Sequence, residues 1–406
     1  MENAYNTTDP QKLLQLKRLE ADSLLDVLRT INMADLTIDK LCRIARNVLR
    51  AQLGVKKMLF IYLAEENWLT GIQSGLTLPK SDQARALMTI TRTSAAPSVL
   101  VETGAEYVIP ITSRGEPKAF FVVADFADTE VERENDLIFI ETLGNILYVA
   151  IENKLLFQEK VRQEYLKKEL EVAETIQQQL LISDFRRFTN IDVHALNIPH
   201  HGIGGDFYDV IQIGQHRTFV CIADVSGKGI GAALLMSNLQ ANLRSLCAQY
   251  DDPKTIVQQL NYLLFQITGG EKFVSLFLAL IETDNQQFTF VNAGHNYPVF
   301  IQKGKVWELS TGCLLLGILP EVDIESATLS YYPEDILFAF TDGIEEQVNT
   351  SGDMFGSHKI TQTLLANQEL NSEEIVYHLL RQLNDYSSDS GVSDDITMLN
   401  VKFLPE

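Results

Sequence analysis

The chain has 406 residues, 46% of them hydrophobic and 21% charged, with a formal net charge of −21 at pH 7. That is room for two or three soluble globular domains, and so acidic a balance argues against a nucleic-acid partner, whose phosphates need Lys and Arg. No apolar run nears the roughly 18 residues that cross a bilayer, and MENAYNTTDPQK shows no basic-then-apolar leader, so a cytoplasmic protein without a membrane partner is expected.

Residues 1–20 read as an N-terminal extension, and 21–144 as a compact module with its own helix and strands. An amphipathic helix over Leu36–Leu53 leads into the strand candidates MLFIYLA (58–64), WLTGIQSG (68–75), YVIPIT (107–112) and AFFVVADF (119–126). SRGEP (113–117) between the last two is a hairpin turn signal. The order helix, hairpin, hairpin, helix resembles a GAF domain, a small-molecule sensor fold, which leaves two readings open: a module that takes a small-molecule or protein signal, and one that only dimerises. No His precedes His194 and Cys42 is the only cysteine before it, which argues against haem or a His/Cys metal site in this module. All four cysteines (Cys42, Cys221, Cys247, Cys313) are scattered without CxxC spacing and read as reduced core residues.

Between Gly144 and Pro199 there is neither Gly nor Pro, and the segment is rich in Leu, Glu, Lys and Gln. These are strong helix formers, and the pattern predicts one long helix from about Leu137 to Leu181. Leu166, Leu170, Ala173, Gln177 and Leu180 keep the 4-3-4-3 spacing of a coiled-coil seam. The seam is broken upstream, where Gln158 and Arg162 fall at its positions. The stretch 145–183 is therefore read as a helical connector that forms a homodimer, against the competing reading of a helix lying on its own domain.

From about 184 to 406 the informative residues are acids in unusual places. Asp206 and Asp209 lie in GGDFYD. Asp224 ends the run TFVCIAD and opens into VSGKG, Asp342 ends ILFAFTDG, and Ser393-Asp394-Asp395 precede ITMLNVKF. Asp224 and Asp342 each close a run apolar on both faces, the mark of a strand buried on both sides. Several carboxylates at buried strand ends repel one another unless a multivalent cation sits among them. With no cysteine or nearby His in the set, the oxygen ligands favour a hard ion, Mg²⁺ or Mn²⁺. Any single Asp-Gly is more simply a turn; four such segments in one region are not.

GIGGDFYDV, ADVSGKGIGAALLM, FVSLFLALIE, NAGHNYP, LLLGI, AFTDGIEE and SDDITML occur in the order found in SpoIIE/RsbU-type phosphatases, the bacterial branch of the protein phosphatase 2C superfamily. The resemblance runs from about Glu174 to Phe403, with its first motif, AETIQQQLL, on the connector helix. It implies an α-β-β-α sandwich with a two-metal site at one edge, so that the whole chain is an α+β protein: GAF-like sensor, connector helix, phosphatase. It implies a serine/threonine phosphatase dependent on two Mn²⁺ or Mg²⁺ ions, acting on a phosphorylated partner, usually a STAS-type anti-sigma-factor antagonist. The rival is a catalytically inactive scaffold that binds such a partner, against which stands the survival of all four acids.

By the same resemblance Asp224 bridges both metals, with the carbonyl of Val225 as a further ligand. Asp342 and Asp394 belong to the first site, and Asp206 holds the second metal. Asp209 and Asp395 are secondary candidates, with hydrogen bonding to neighbouring backbone as their competing role. His295 in NAGHN is read as structural rather than as a general acid, and Lys228 as solvated rather than phosphate-binding. Pro199-His200-His201 stands where eukaryotic members carry a phosphate-gripping arginine. Ile182-Ser183 follows QQQLL where the family often has Pro, which leaves the exit from the helix open.

Overall fold

The computed structural model describes residues 36–77, 87–126, 133–200, 202–387 and 394–405. The N-terminal extension, the start of the 21–144 module, His201 and Ser393 lie outside these residues. The chain divides into two compact units, up to Tyr165 and from Leu166 onward.

In the first unit, helix α1 (Ile38–Leu53) starts at Thr37, whose side chain accepts from the Lys40 N–H, and stops at Gly54 in the left-handed conformation. Strands β1 (Lys57–Ala64), β2 (Asn67–Ser74), β3 (Ser94–Ala95), β4 (Tyr107–Ser113) and β5 (Glu116–Ala124) form one antiparallel sheet ordered β2-β1-β5-β4-β3. The expected hairpin turn is there: Ser113 pairs with Glu116 across Arg114 and Gly115, both at positive φ (53° and 85°). One face of the sheet packs on α1 and on Phe139–Ile151 of a long helix; Leu59, Leu87, Leu100, Val108 and Phe120 fill a second core on the other face.

That long helix, α2, runs unbroken from Arg133 to Leu180, 48 residues, and so starts a turn earlier than its sequence suggests. Gly144 lies inside it because a Cβ there would collide with Ile111 and Phe121 of the sheet. Along its middle the apolar residues are free: Phe157, Tyr165, Leu166 and Val172 are all more than half exposed.

The second unit has four layers. Strands β6 (Ile191–Ile198), β7 (Phe207–Ile213), β8 (Arg217–Val225), β9 (Val274–Glu282), β10 (Gln287–Ala293), β11 (Val299–Gln302), β12 (Lys305–Glu308), β13 (Gly312–Cys313), β14 (Ala327–Ser330), β15 (Ile336–Phe340) and β16 (Ile396–Phe403) build two sheets. One is ordered β13-β10-β9-β8-β7 with β14 also on β10; the other is β12-β11-β15-β16-β6. Their facing sides share a core that includes Tyr208, Phe277, Phe288, Phe300, Leu337 and Phe403. Helices α3 (Ile230–Cys247) and α4 (Pro253–Thr268) cover the outside of the first sheet. Helices α6 (Gly356–Ala366) and α7 (Ser372–Ser387), which follow the short α5 (Asp342–Glu345), cover the second. This is the α-β-β-α sandwich expected. Among the described residues no helix is long and apolar enough to cross a membrane.

Candidate active site

The acids come from both sheets and meet at one end of the sandwich. Asp224 is the penultimate residue of β8, Asp206 precedes β7, Asp342 follows β15, and Asp394 and Asp395 precede β16. The Asp206 and Asp224 carboxyls are close enough to share a hydrogen bond. Asp342 feels the charges of Glu346 and Asp394, and Asp224 that of Asp342.

Their surroundings hold these side chains tightly. Asp206 is buried, and its Oδ2 accepts from the Thr397 hydroxyl at 2.8 Å. Thr341 also binds its carboxyl, and the Thr341 hydroxyl accepts from the Thr397 N–H at 3.0 Å, so two threonines from adjacent strands brace one acid. Asn197 joins them, donating to the Thr397 hydroxyl (2.8 Å) and to the Asp206 carbonyl (3.4 Å). Gly205 lets the loop before β7 pass the end of β8, because a Cβ there would run into the Val225 carbonyl.

Burial and mutual charge set the electrostatics. Desolvation, then the neighbouring Asp224 charge, push Asp206 well above the ordinary carboxylate range, against the hydrogen bonds of Thr341 and Thr397. Desolvation and the Asp342 charge raise Asp224 to about 6. Asp342 is raised by desolvation and by Glu346 and Asp394. Among the described residues, Lys228 pairs with this set, its Nζ lying 2.9 Å from Asp394 Oδ1.

The donor set therefore fits a hard divalent ion: every candidate ligand is oxygen, and a dication removes the repulsion that raises the acids. Among the described residues no group of three or more Asp, Glu, His or Cys side chains is already gathered to hold a metal ion.

The secondary candidates part company. Asp395 fastens backbone: its Oδ1 accepts from the His200 N–H (2.8 Å) and its Oδ2 from the Gly205 N–H (3.1 Å). Asp209 is fully buried and turned away from the other acids, onto α3. There it takes a two-pronged pair from Arg244 (2.6 and 3.0 Å) and a bond from Gln240 (3.3 Å). Its candidacy as a metal ligand is thus corrected, since a carboxylate neutralised by a guanidinium has no need of a metal.

His295 is buried, with Nδ1 2.9 Å from the Ser275 hydroxyl and its backbone N–H donating to Asn292 Oδ1 at 2.8 Å. Burial drives its pKa down to about 4, so it is neutral at physiological pH and holds the strand turn together. Gln177, expected on the coiled-coil seam, is buried instead against this domain's own loop. Its side-chain amide donates to the Gly204 carbonyl (2.7 Å) and accepts from the Gly204 N–H (3.2 Å). Thr341 and Thr397 were not singled out from sequence, although FTDG and DDIT place each beside a candidate acid.

Comparison with known proteins gives a consistent result. Residues 214–404 match the family described as Stage II sporulation protein E (SpoIIE). Protein IcfG of Synechocystis sp. is 27% identical over 292 residues, covering 64% of this chain and 46% of IcfG. Phosphoserine phosphatase RsbU of Bacillus subtilis is 28% identical over 242 residues, covering 58% of this chain and 70% of RsbU. The SiaA-PP2C domain of Pseudomonas aeruginosa superposes with a TM-score of 0.54 at 21% identity, over 60% of this chain and 98% of that domain, a likeness of fold.

Proposed function

We propose that this chain, whose residues 214–404 match the SpoIIE family and whose second unit shares its fold with a PP2C domain, is a metal-dependent phosphatase removing phosphate from serine or threonine of a partner protein. The carrying observation is the cluster of Asp206, Asp224 and Asp342, raised by burial and by one another, with Asp394 beside them. Asp206, Asp224, Asp342 and Asp394, with the Val225 carbonyl, would hold two Mn²⁺ or Mg²⁺ ions. Two such ions, once bound, supply an activated water near neutral pH and offset charge on the phosphoryl oxygens.

The chain's own residues do the rest. Thr341 and Thr397 aim Asp206, and Asp395 ties down the backbone at His200 and Gly205. His295, neutral and buried, supports the strand bearing Ser275, the register partner of Asp224. With no arginine at Pro199–Gly202, recognition of the phosphoryl group would fall mainly to the ions that Asp206, Asp224, Asp342 and Asp394 would hold.

We assign the partner, from the family resemblance, to phosphorylated STAS-type anti-sigma-factor antagonists in the cytoplasm. The first unit, a five-stranded antiparallel sheet with α1 and the start of α2 on one face, suits the GAF-like sensor read from the sequence. A homodimer would pair two α2 helices through their exposed apolar middle, and Gln177 would pass the register of α2 to the loop that carries Asp206. The test is metal dependence. Chelator-stripped protein should fail to hydrolyse p-nitrophenyl phosphate and a phosphorylated STAS protein, and Mn²⁺ should restore both. Full activity without metal would overturn the assignment, and a metal-bound but inert protein would favour the scaffold.

A further inference from the structure

Lys228 sits at the tip of the loop joining β8 to α3, between Gly227 and Gly229, both at positive φ (97° and 77°). The loop base is fixed: the Ser226 N–H donates to the Phe273 carbonyl (2.9 Å), and the Phe273 N–H donates to the Ser226 hydroxyl (3.0 Å). The backbone is therefore held while the lysine side chain, 56% exposed, is free to swing. It does not point to solvent, as its sequence suggests, but reaches back to Asp394 Oδ1 at 2.9 Å. Asp342 and Asp395 lie within electrostatic reach of the same ammonium.

One oxygen of Asp394 thus serves two donors, since Oδ1 also accepts from the Asp395 N–H at 2.9 Å. A metal ion using that oxygen has to take the place of the ammonium. The exchange is favourable because a dication offsets two of the clustered charges and an ammonium only one. It is also easy, because an exposed pair on a flexible four-carbon stem is held by little energy.

We propose that Lys228 is a tethered counter-cation of the acid cluster, which a divalent ion must displace from Asp394 in order to bind. The ammonium neutralises the cluster when metal is scarce and weakens metal binding by direct competition, which sets the metal concentration at which the enzyme switches on. The inference rests on the metal-site reading above and adds a residue that reading leaves solvated.

The experiment is a calorimetric Mn²⁺ titration of the full chain, freed of chelator, for the native protein, Lys228→Gln, Lys228→Met and Lys228→Arg, with folding checked by circular dichroism. Removing the charge should tighten Mn²⁺ binding roughly two- to fivefold, the range an exposed ion pair spans. Arginine should keep binding near native, and the gap between native and Lys228→Gln should narrow at about 0.5 M salt. Folded Lys228→Gln and Lys228→Met proteins that bind Mn²⁺ no tighter than native would overturn the proposal. A native protein that binds no Mn²⁺ would instead overturn the metal-site reading beneath it, and the same titration tells the two apart.

Discussion

Replacing Asp224 by Asn should stabilise the metal-free protein while destroying its activity. The Asp224 carboxyl is raised from the ordinary 3.8 to about 6, first by burial and then by Asp342. A carboxyl raised on folding holds its proton more tightly in the folded state. Its contribution is therefore fully favourable below about pH 4 and is lost as pH rises through about 6. At about 1.4 kcal/mol for each tenfold change in proton affinity, the ionised side chain costs the fold about 3 kcal/mol at pH 8. Asn cannot ionise, so the variant should recover up to that amount at pH 8 and almost none near pH 4. For a domain of this size 1 kcal/mol corresponds to about 2–4 °C, which places the gain at roughly 6–12 °C in the melting transition of the C-terminal unit. Scanning calorimetry of the chelated full chain at the two pH values reads it directly. The metal response should invert: Mn²⁺ should raise the native transition strongly and the variant's little. Equal melting at pH 8, or a gain of the same size at pH 4, would refute the assignment of Asp224 to a charge-starved cluster.

Arg244→Met should destabilise the fold by about 3 kcal/mol, at the low end for a broken buried pair because Arg244 is 46% exposed while Asp209 is fully buried; the urea midpoint measures it. Four residues inserted near Glu164 turn a helix by about 40°, whereas seven turn it by only about 20° the other way. The first should change basal phosphatase activity strongly and the second weakly, and an activity indifferent to both would reduce α2 to a tether.

The parts of this protein legible in the sequence are those set by neighbours in the chain. The run ILFAF is apolar on both faces because β15 is buried on both sides, and the acid that ends it, Asp342, is conspicuous for that reason. The turn at Gly115 is legible because its positive φ favours glycine, whereas Arg114, also at positive φ, carries no such signal. What stayed hidden depends on contacts between distant segments. Asp209 looked like Asp206 three residues earlier, but strand alternation turns it to the opposite face, where Arg244, 35 residues away, claims it. Gln177 fitted the heptad spacing as well as its neighbours did. Only the loop at Gly204, 27 residues on, shows that the helix end is already occupied by its own domain. Lys228 reads as a solvated lysine until Asp394, far along the chain, is brought beneath it.

The end of α2 is where a regulatory signal would meet the chemistry, and the geometry gives the reason. Gln177 grips both backbone groups of Gly204, and the next two residues are the glycine that skirts the Val225 carbonyl and the acid Asp206. Three residues beyond Gln177, the Leu180 carbonyl accepts from Gln240 on α3, at 2.9 Å, and the same amide reaches Asp209. A side-chain amide stands about 6 Å from its helix axis, so a 40° turn carries it about 4 Å sideways. Hydrogen bonds tolerate only a few tenths of an ångström of stretch. Rotation of α2 therefore cannot be absorbed at Gly204: either the loop follows and moves Asp206, or the two bonds break and leave a buried amide unpaired, at a cost of about 1–3 kcal/mol. Both outcomes alter the acid proposed to hold the second metal. Asp342 and Asp394 follow β15 and precede β16 in the other sheet, and the link from the moving loop toward them is the Gly205 N–H bond to Asp395, so control through α2 would act first on Asp206 and reach Asp394 only through its neighbour.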